Sequence, residues 1–122
     1  MTDKIKSFTD LIAWQKSRVL AKEIYQTTES FPSKEVYGLT NQIRRAAISV
    51  VSNIAEGFSR RSKAEKSQFY SISKGSLTEL QAQLIVASDI GYLKIDIYQK
   101  LSVMTDDCSR LLTGLLRSTE SK

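Results

Sequence analysis

Residues 42–63 read QIRRAAISVVSNIAEGFSRRSK. Counting Leu39 just before it, apolar side chains fall at Leu39, Ile43, Ala46, Ala47, Val50 and Ile54, at spacings of four, three, one, three and four. At 100° per residue these positions share an arc of about 100°, the width of a stripe that faces a core. A strand would alternate in twos instead. The spacing predicts a helix over about 35–57, with Gly57 as a left-handed terminator. Ser62-Lys63-Ala64-Glu65 then has the spacing of a capping box, in which the Ser oxygen accepts from the third amide and the Glu reaches back. A further helix is expected over about 63–90, with Phe69, Ile72, Ser76, Leu77, Leu80, Leu84 and Ala87 facing inward and Gly91 ending it.

The same periodicity extends to both sides. Between about 10 and 29, Ala13, Leu20, Ala21 and Ile24 form one row and Leu11, Trp14, Arg18 and Tyr25 another. Thr9 or Asp10 is placed to cap the start, and Ser30-Phe31-Pro32 ends the segment, because the residue before Pro is pushed out of the helical region. Between about 95 and 117, Ile97, Leu101, Met104, Cys108, Leu111, Leu112 and Leu115 stay in step. Asp96 in the first turn and Arg117 in the last match the helix dipole. Ser118 to Lys122 is expected to fray. Connections of a few residues between long helices make antiparallel neighbours. The expected fold is therefore all-α: a single domain over 1–122, an antiparallel up-down-up-down four-helix bundle.

Composition agrees. A chain of 122 residues buries about two-thirds of its unfolded surface, enough for one core. Its one Pro and five Gly leave little turn punctuation for strands. There is no His, so the commonest general base and metal ligand is missing. The single Cys108 has no internal disulfide partner and is read as an inert small hydrophobe of the core. No catalytic, metal or cofactor site is expected. With no long apolar run and no apolar leader, the expectation is a cytoplasmic protein without a membrane contact.

Charge is uneven. Residues 1–74 hold 13 Lys or Arg against 7 Asp or Glu, and residues 75–122 hold 5 against 6. A basic half suits a polyanion. On the helix of residues 35–57, Arg45, Ser49, Ser52 and Glu56 lie opposite the buried arc, and Arg44 lies at its edge beside Ile48. Arg60, Arg61, Lys63 and Lys66 cluster at the following turn, where free backbone amides also favour anions. Arg44, Arg45, Arg60, Arg61, Lys63 and Lys66 are the candidate phosphate contacts for RNA or DNA. Phe58 and Tyr70 are the nearby aromatic candidates for base stacking. Solvated helix ends are the plain alternative.

Small and apolar residues outside the buried arcs point elsewhere. Ile48, Ala55, Gly75, Ala82 and Val86 form a second face, which a bundle buries against another copy. Glu23, Glu56 and Glu79 resemble the carboxylates of a di-iron bundle, but such a site needs Glu-x-x-His pairs. Pairing with Arg18 or Arg44 is the simpler expectation. Gln83 and Ser76 are read as bonded polar residues inside the bundle, and Trp14 as a core anchor.

The segments DLIAWQKSRVLAKEIY, FPSKEVYGLTNQIRRAAISVVSNIAEGFSRRS and QFYSISKGSLTELQAQLIVASDIGYL resemble the family of 23S rRNA-intervening sequence proteins, over residues 10 to about 93. The resemblance implies a homopentameric four-helix bundle with a basic surface and no enzymatic activity. A related retroelement accessory variability protein is similar in fold and binds nucleic acid and its reverse transcriptase. Val51 stands where the family often has Pro, so the second helix should run straighter here. Together these readings give a non-catalytic, self-assembling module that binds RNA or DNA through a basic face. The competing reading is a scaffold that self-assembles and docks a protein partner without nucleic acid.

Overall fold

The structure is a computed structural model and describes residues 4–120. Four helices carry it: α1 (Ile12–Thr28), α2 (Leu39–Ser59), α3 (Lys63–Asp89) and α4 (Ile95–Ser118). Single 3-10 turns, Phe8–Asp10 and Ser33–Glu35, precede α1 and α2. No strand occurs among the described residues. One contiguous core joins the helices, with Leu20 and Ile24 of α1, Ile43, Val50 and Ile54 of α2, Leu77, Leu80 and Leu84 of α3, and Leu101 and Leu112 of α4.

The helix starts differ from the sequence expectation, for local reasons. Ser7, not Thr9 or Asp10, accepts from the Thr9 amide, and the Asp10 carboxylate accepts from the Ser7 amide. This capping box closes the 3-10 turn, and α1 begins only at Ile12 with no side-chain cap. The expected start of α2 near residue 35 moves to Leu39. Residues 33–35 make their own turn, and the Glu35 carboxylate accepts from the Leu39 amide at 3.2 Å. The same carboxylate accepts from the Tyr92 hydroxyl at 2.8 Å, and the Tyr92 ring lies 5.4 Å from Phe31. The two connections at this end of the bundle are thereby tied together. The Tyr92 hydrogen bond, helped by the Leu39 amide, holds the Glu35 carboxyl below its usual range. Tyr92 is pushed up in turn by that hydrogen bond.

Gly57 does not terminate α2. It lies inside the helix, buried, and α2 continues to Ser59 with Arg60 as its cap. A methyl at Gly57 would sit 2.7 Å from the Tyr70 ring, so this glycine is there for close approach. Tyr70 is only 3% exposed, which removes it from the candidate stacking residues. The inward row of α3 is accordingly Tyr70, Ser73, Leu77, Leu80, Leu84 and Ala87. Its last four members match the expectation. Phe69 and Ser76 are half-buried on the α2 side, and Ile72 is 45% exposed. Ser73 is buried because its hydroxyl donates to the Val50 carbonyl at 2.7 Å. The Ser49 and Ser76 hydroxyls meet at 2.7 Å nearby.

The α3 terminus follows the sequence. Gly91 has φ +87°, the Tyr92 amide donates to the Ala87 carbonyl, and the Gly91 amide donates to Ser88. This is a Schellman closure. α4 keeps its expected row, with Thr105 added among the buried residues. Ser118 is helical and Thr119 is buried, so fraying does not begin there, and residues 121–122 lie outside the described residues. Burial pushes the Cys108 thiol up, as suits an inert core position.

Contacts run in opposite chain sense along adjacent helices. Val50 meets Ser73 while Phe58 meets Lys66. Lys74 meets Thr113 while Gln81 meets Thr105.

Gly57→Ala should cost about 1–3 kcal/mol, because its methyl meets a packed ring. Gly114→Ala, inside α4 with nothing within 4 Å, should add about 0.5–1 kcal/mol. Urea denaturation of both variants checks the pair. A neutral Gly57→Ala would contradict the close α2–α3 contact.

Candidate nucleic-acid interface

The six candidate basic residues do not form one patch. Arg44 turns toward α1. Its Nε donates to the Thr28 hydroxyl at 2.8 Å, its Nη2 donates to the Tyr25 carbonyl at 3.1 Å, and its guanidinium lies 4.6 Å from the Tyr25 ring centre. α1 has no basic residue in its own last turn, so Arg44 supplies the cation that a helix C-terminus favours. It clamps two helices together with two of its five N–H donors.

At the α2–α3 turn, the sequence cluster divides by partner. The Arg60 guanidinium lies 4.6 Å from the Phe69 ring centre, and its Nη2 is 3.5 Å from the Glu56 carboxylate. Its Nε is buried without a hydrogen-bond acceptor. Lys66 donates to the Phe58 carbonyl at 2.7 Å and covers the Phe58 ring, so it satisfies an orphan carbonyl at the end of α2. Arg61 and Lys63 are exposed. Ser62 opens α3 as expected, accepting from the Glu65 amide, while the Glu65 carboxylate accepts from the Ser62 hydroxyl. The turn therefore presents Arg61 and Lys63 outward, beside Arg60 and Lys66, which are partly spent on the fold.

Arg45 stands apart. It is 16 residues from Arg61, about 24 Å along a helix axis. It borders a groove of about 470 Å³ between α2 and α3, lined by Gln42, Arg45, Ala46, Ser49, Ser76, Glu79 and Gln83. The reading of Gln83 and Ser76 as bonded interior residues divides here. Ser76 is bonded, but Gln83 Oε1 is shut off from solvent without a donor. Ser49 shares the expected polar face with Arg45, whereas Gln42 was not among the expected site residues. Only the pairing of α2 with α3 brings them opposite Glu79 and Gln83.

The expected apolar face is open. Ile48 is 44% and Val86 49% exposed, Gly75 and Ala82 are exposed, and Ala55 is half-buried. Ile72 and Ile90 extend the α3 part of this face, giving a row over 72, 75, 82, 86 and 90. The expected carboxylate pairings change as well. Glu23 pairs with Lys100 at 3.2 Å and Glu56 with Arg60, in place of Arg18 or Arg44. Arg18 lies over Trp14, which packs edge-on to Phe8 against the core. Among the described residues no group of three or more His, Cys, Asp or Glu converges as a metal site, and no helix is long and apolar enough to cross a membrane.

Residues 9–114 match the family model described as 23S rRNA-intervening sequence protein. No curated protein sequence matches the chain. In fold, the chain is similar to the crystal structure of a protein of unknown function from the S23 ribosomal protein family of Bacteroides thetaiotaomicron. The TM-score is 0.80 at 19% identity, over 87% of this chain and 96% of that one.

Arg44→Ala should lower stability by about 1–2 kcal/mol, since two charge-assisted hydrogen bonds to α1 are lost. Arg61→Ala should stay within about 0.5 kcal/mol of the parent. Equal urea midpoints for the two variants would contradict the clamp assignment.

Proposed function

The chain belongs to the 23S rRNA-intervening sequence protein family, and we propose that it is a non-catalytic, self-assembling four-helix module that contacts RNA or DNA through its α2–α3 side. The observation that carries this reading is the outward projection of Arg61 and Lys63 at the α2–α3 turn, flanked by Arg60 and Lys66, with Arg45 farther along the same helix pair. A guanidinium offers a planar fork of donors to phosphate, and an ammonium a compact charge. Arg44 is set apart from the direct contacts, because two of its five N–H donors serve α1 and its guanidinium lies over Tyr25. Its part is to hold α1 in place behind the binding side.

Self-assembly rests on the open apolar face. The row of Ile72, Gly75, Ala82, Val86 and Ile90 on α3, with Ile48 and Ala55 on α2, has no covering element among the described residues. Burial against further copies removes that apolar surface from water, and a closed ring satisfies every copy equally. A homopentamer is the assembly proposed. Repeating the basic turn around a ring would also multiply weak phosphate contacts on one strand.

Arg61→Ala with Lys63→Ala should leave helix content unchanged and flatten the dependence of log affinity on log salt by about two units, one for each lost phosphate contact. Binding to one labelled RNA and one labelled DNA across a salt series measures this. A parent protein with no salt-sensitive binding would remove the nucleic-acid reading and leave a protein-docking scaffold. Light scattering should give a mass several times 13.7 kDa for the parent and a smaller one for Ala82→Arg. A monomeric parent would refute the assembly.

A further inference from the structure

The groove between α2 and α3 is unlike the rest of the surface. Its walls carry a cation, a carboxylate, hydroxyls and an unsatisfied amide within one space of about 470 Å³. Among the described residues, neither Arg45 nor Glu79 has an ion-pair partner within 4 Å. The Ser49 and Ser76 hydroxyls bond each other with one donating, which leaves one hydroxyl proton of the pair unassigned. Gln83 Oε1 is out of water and without a donor, a costly state for an acceptor. Gln83 lines the groove, and a half-turn of its terminal amide, which exchanges oxygen and nitrogen, belongs to the proposal below. Glu79 and Gln83 are four residues apart on α3 and so share one face.

With the amide so turned, the groove offers three acceptor atoms on one face of α3, two on Glu79 and one on Gln83, and a guanidinium on α2. A complementary ligand carries several donors on one edge and an anion a short distance away. A nucleotide has this form. Among the bases, guanine sets N1–H beside the 2-amino group and so presents three hydrogens on its pairing edge. Adenine and cytosine present one amino group there, and uracil one N–H. Base edges of this kind are open to side chains in unpaired strands.

We propose that the α2–α3 groove takes one unpaired guanine nucleotide of a bound strand. This rests on the nucleic-acid reading above and gives that reading a sequence preference. Glu79 accepts from N1–H and one hydrogen of the 2-amino group, and Gln83 Oε1 accepts from the other. Arg45 holds the adjoining phosphate. Ala46 lines the groove with only a methyl and leaves room for a flat ring. The same strand continues along the helix pair toward Arg61 and Lys63, about 24 Å away.

The test measures fluorescence anisotropy of three oligouridylates: one with a single central guanosine, one with inosine there, and one with uridine throughout. Inosine keeps N1–H and lacks the 2-amino group. The parent should bind the guanosine strand about tenfold tighter than the other two. Glu79→Gln and Gln83→Met, each with parent-like circular dichroism, should abolish that preference while salt-sensitive binding to plain oligouridylate persists. Salt-sensitive binding of all three strands with equal affinity would overturn the groove assignment while the phosphate reading stands. Absence of salt-sensitive binding to any strand would remove both. A guanosine preference that survives both substitutions would place the recognition elsewhere and also overturn the assignment.

Discussion

The close approach of α2 and α3 is the constraint on which the rest of the structure depends. Gly57 gives the Tyr70 ring a place to lie, and Ser73 reaches the Val50 backbone directly. Ser49 and Ser76 then meet through their hydroxyls. Each contact needs a small side chain on at least one helix, so the pair is joined by fit and hydrogen bonds as much as by apolar area. Packing of this density tolerates little added volume. It also sets the phase of α3, which turns Ile72 and Val86 outward and Leu77, Leu80 and Leu84 into the core. The groove and the open apolar face are two results of one rotational setting.

Electrostatics is shaped by the same contacts. A count of Lys and Arg along the sequence treats every charge as available. Arg44 reaches the end of α1, Lys66 closes the end of α2, and Arg60 lies over Phe69 while it pairs with Glu56. These three stabilise the helix ends by placing cations near carbonyls or rings. Arg45, Arg61 and Lys63 remain turned to the surface. Arg44 and Lys66 bond to neutral oxygens and keep their charge, and only Arg60 of the three is offset by a carboxylate; what the contacts restrict is the direction in which each cation can donate.

Most of the architecture was legible in the sequence because apolar spacing reports helices directly. The rows of α2 and α4, the end of α3 at Gly91 and the cap at Ser62 all follow from side-chain type and spacing. The first half of α3 was not legible. Hydropathy favours Phe69 and Ile72 over Tyr70 and Ser73, and nothing local reveals that Ser73 has a carbonyl waiting on α2. Gly57 has the form of a terminator but serves as a contact. The start of α2 hid in the same way, since Glu35 caps it from the preceding turn. For the candidate site, the residue types were readable and their commitments were not. Arg44 is committed by partners 16 and 19 residues away, and Arg60 and Lys66 by partners four to nine residues away that the helix ends bring together.

The buried row of α3 has one further consequence. Tyr70, Ser73, Leu77, Leu80, Leu84 and Ala87 advance by three, four, three, four and three. That is a period of about 3.5, shorter than the 3.6 of a straight helix, and a straight helix would rotate such a row by about 20° in each heptad. Over the 17 residues of this row that drift comes to about 50°, half the width of a core-facing stripe. The row therefore stays buried at both ends of a straight helix, with Tyr70 at 3% and Ala87 at 0% exposure. The outer row, from Ile72 to Ile90, covers 18 residues in five turns of about 3.6. It forms a straight ridge, so a copy that packs on it meets the same face at every turn.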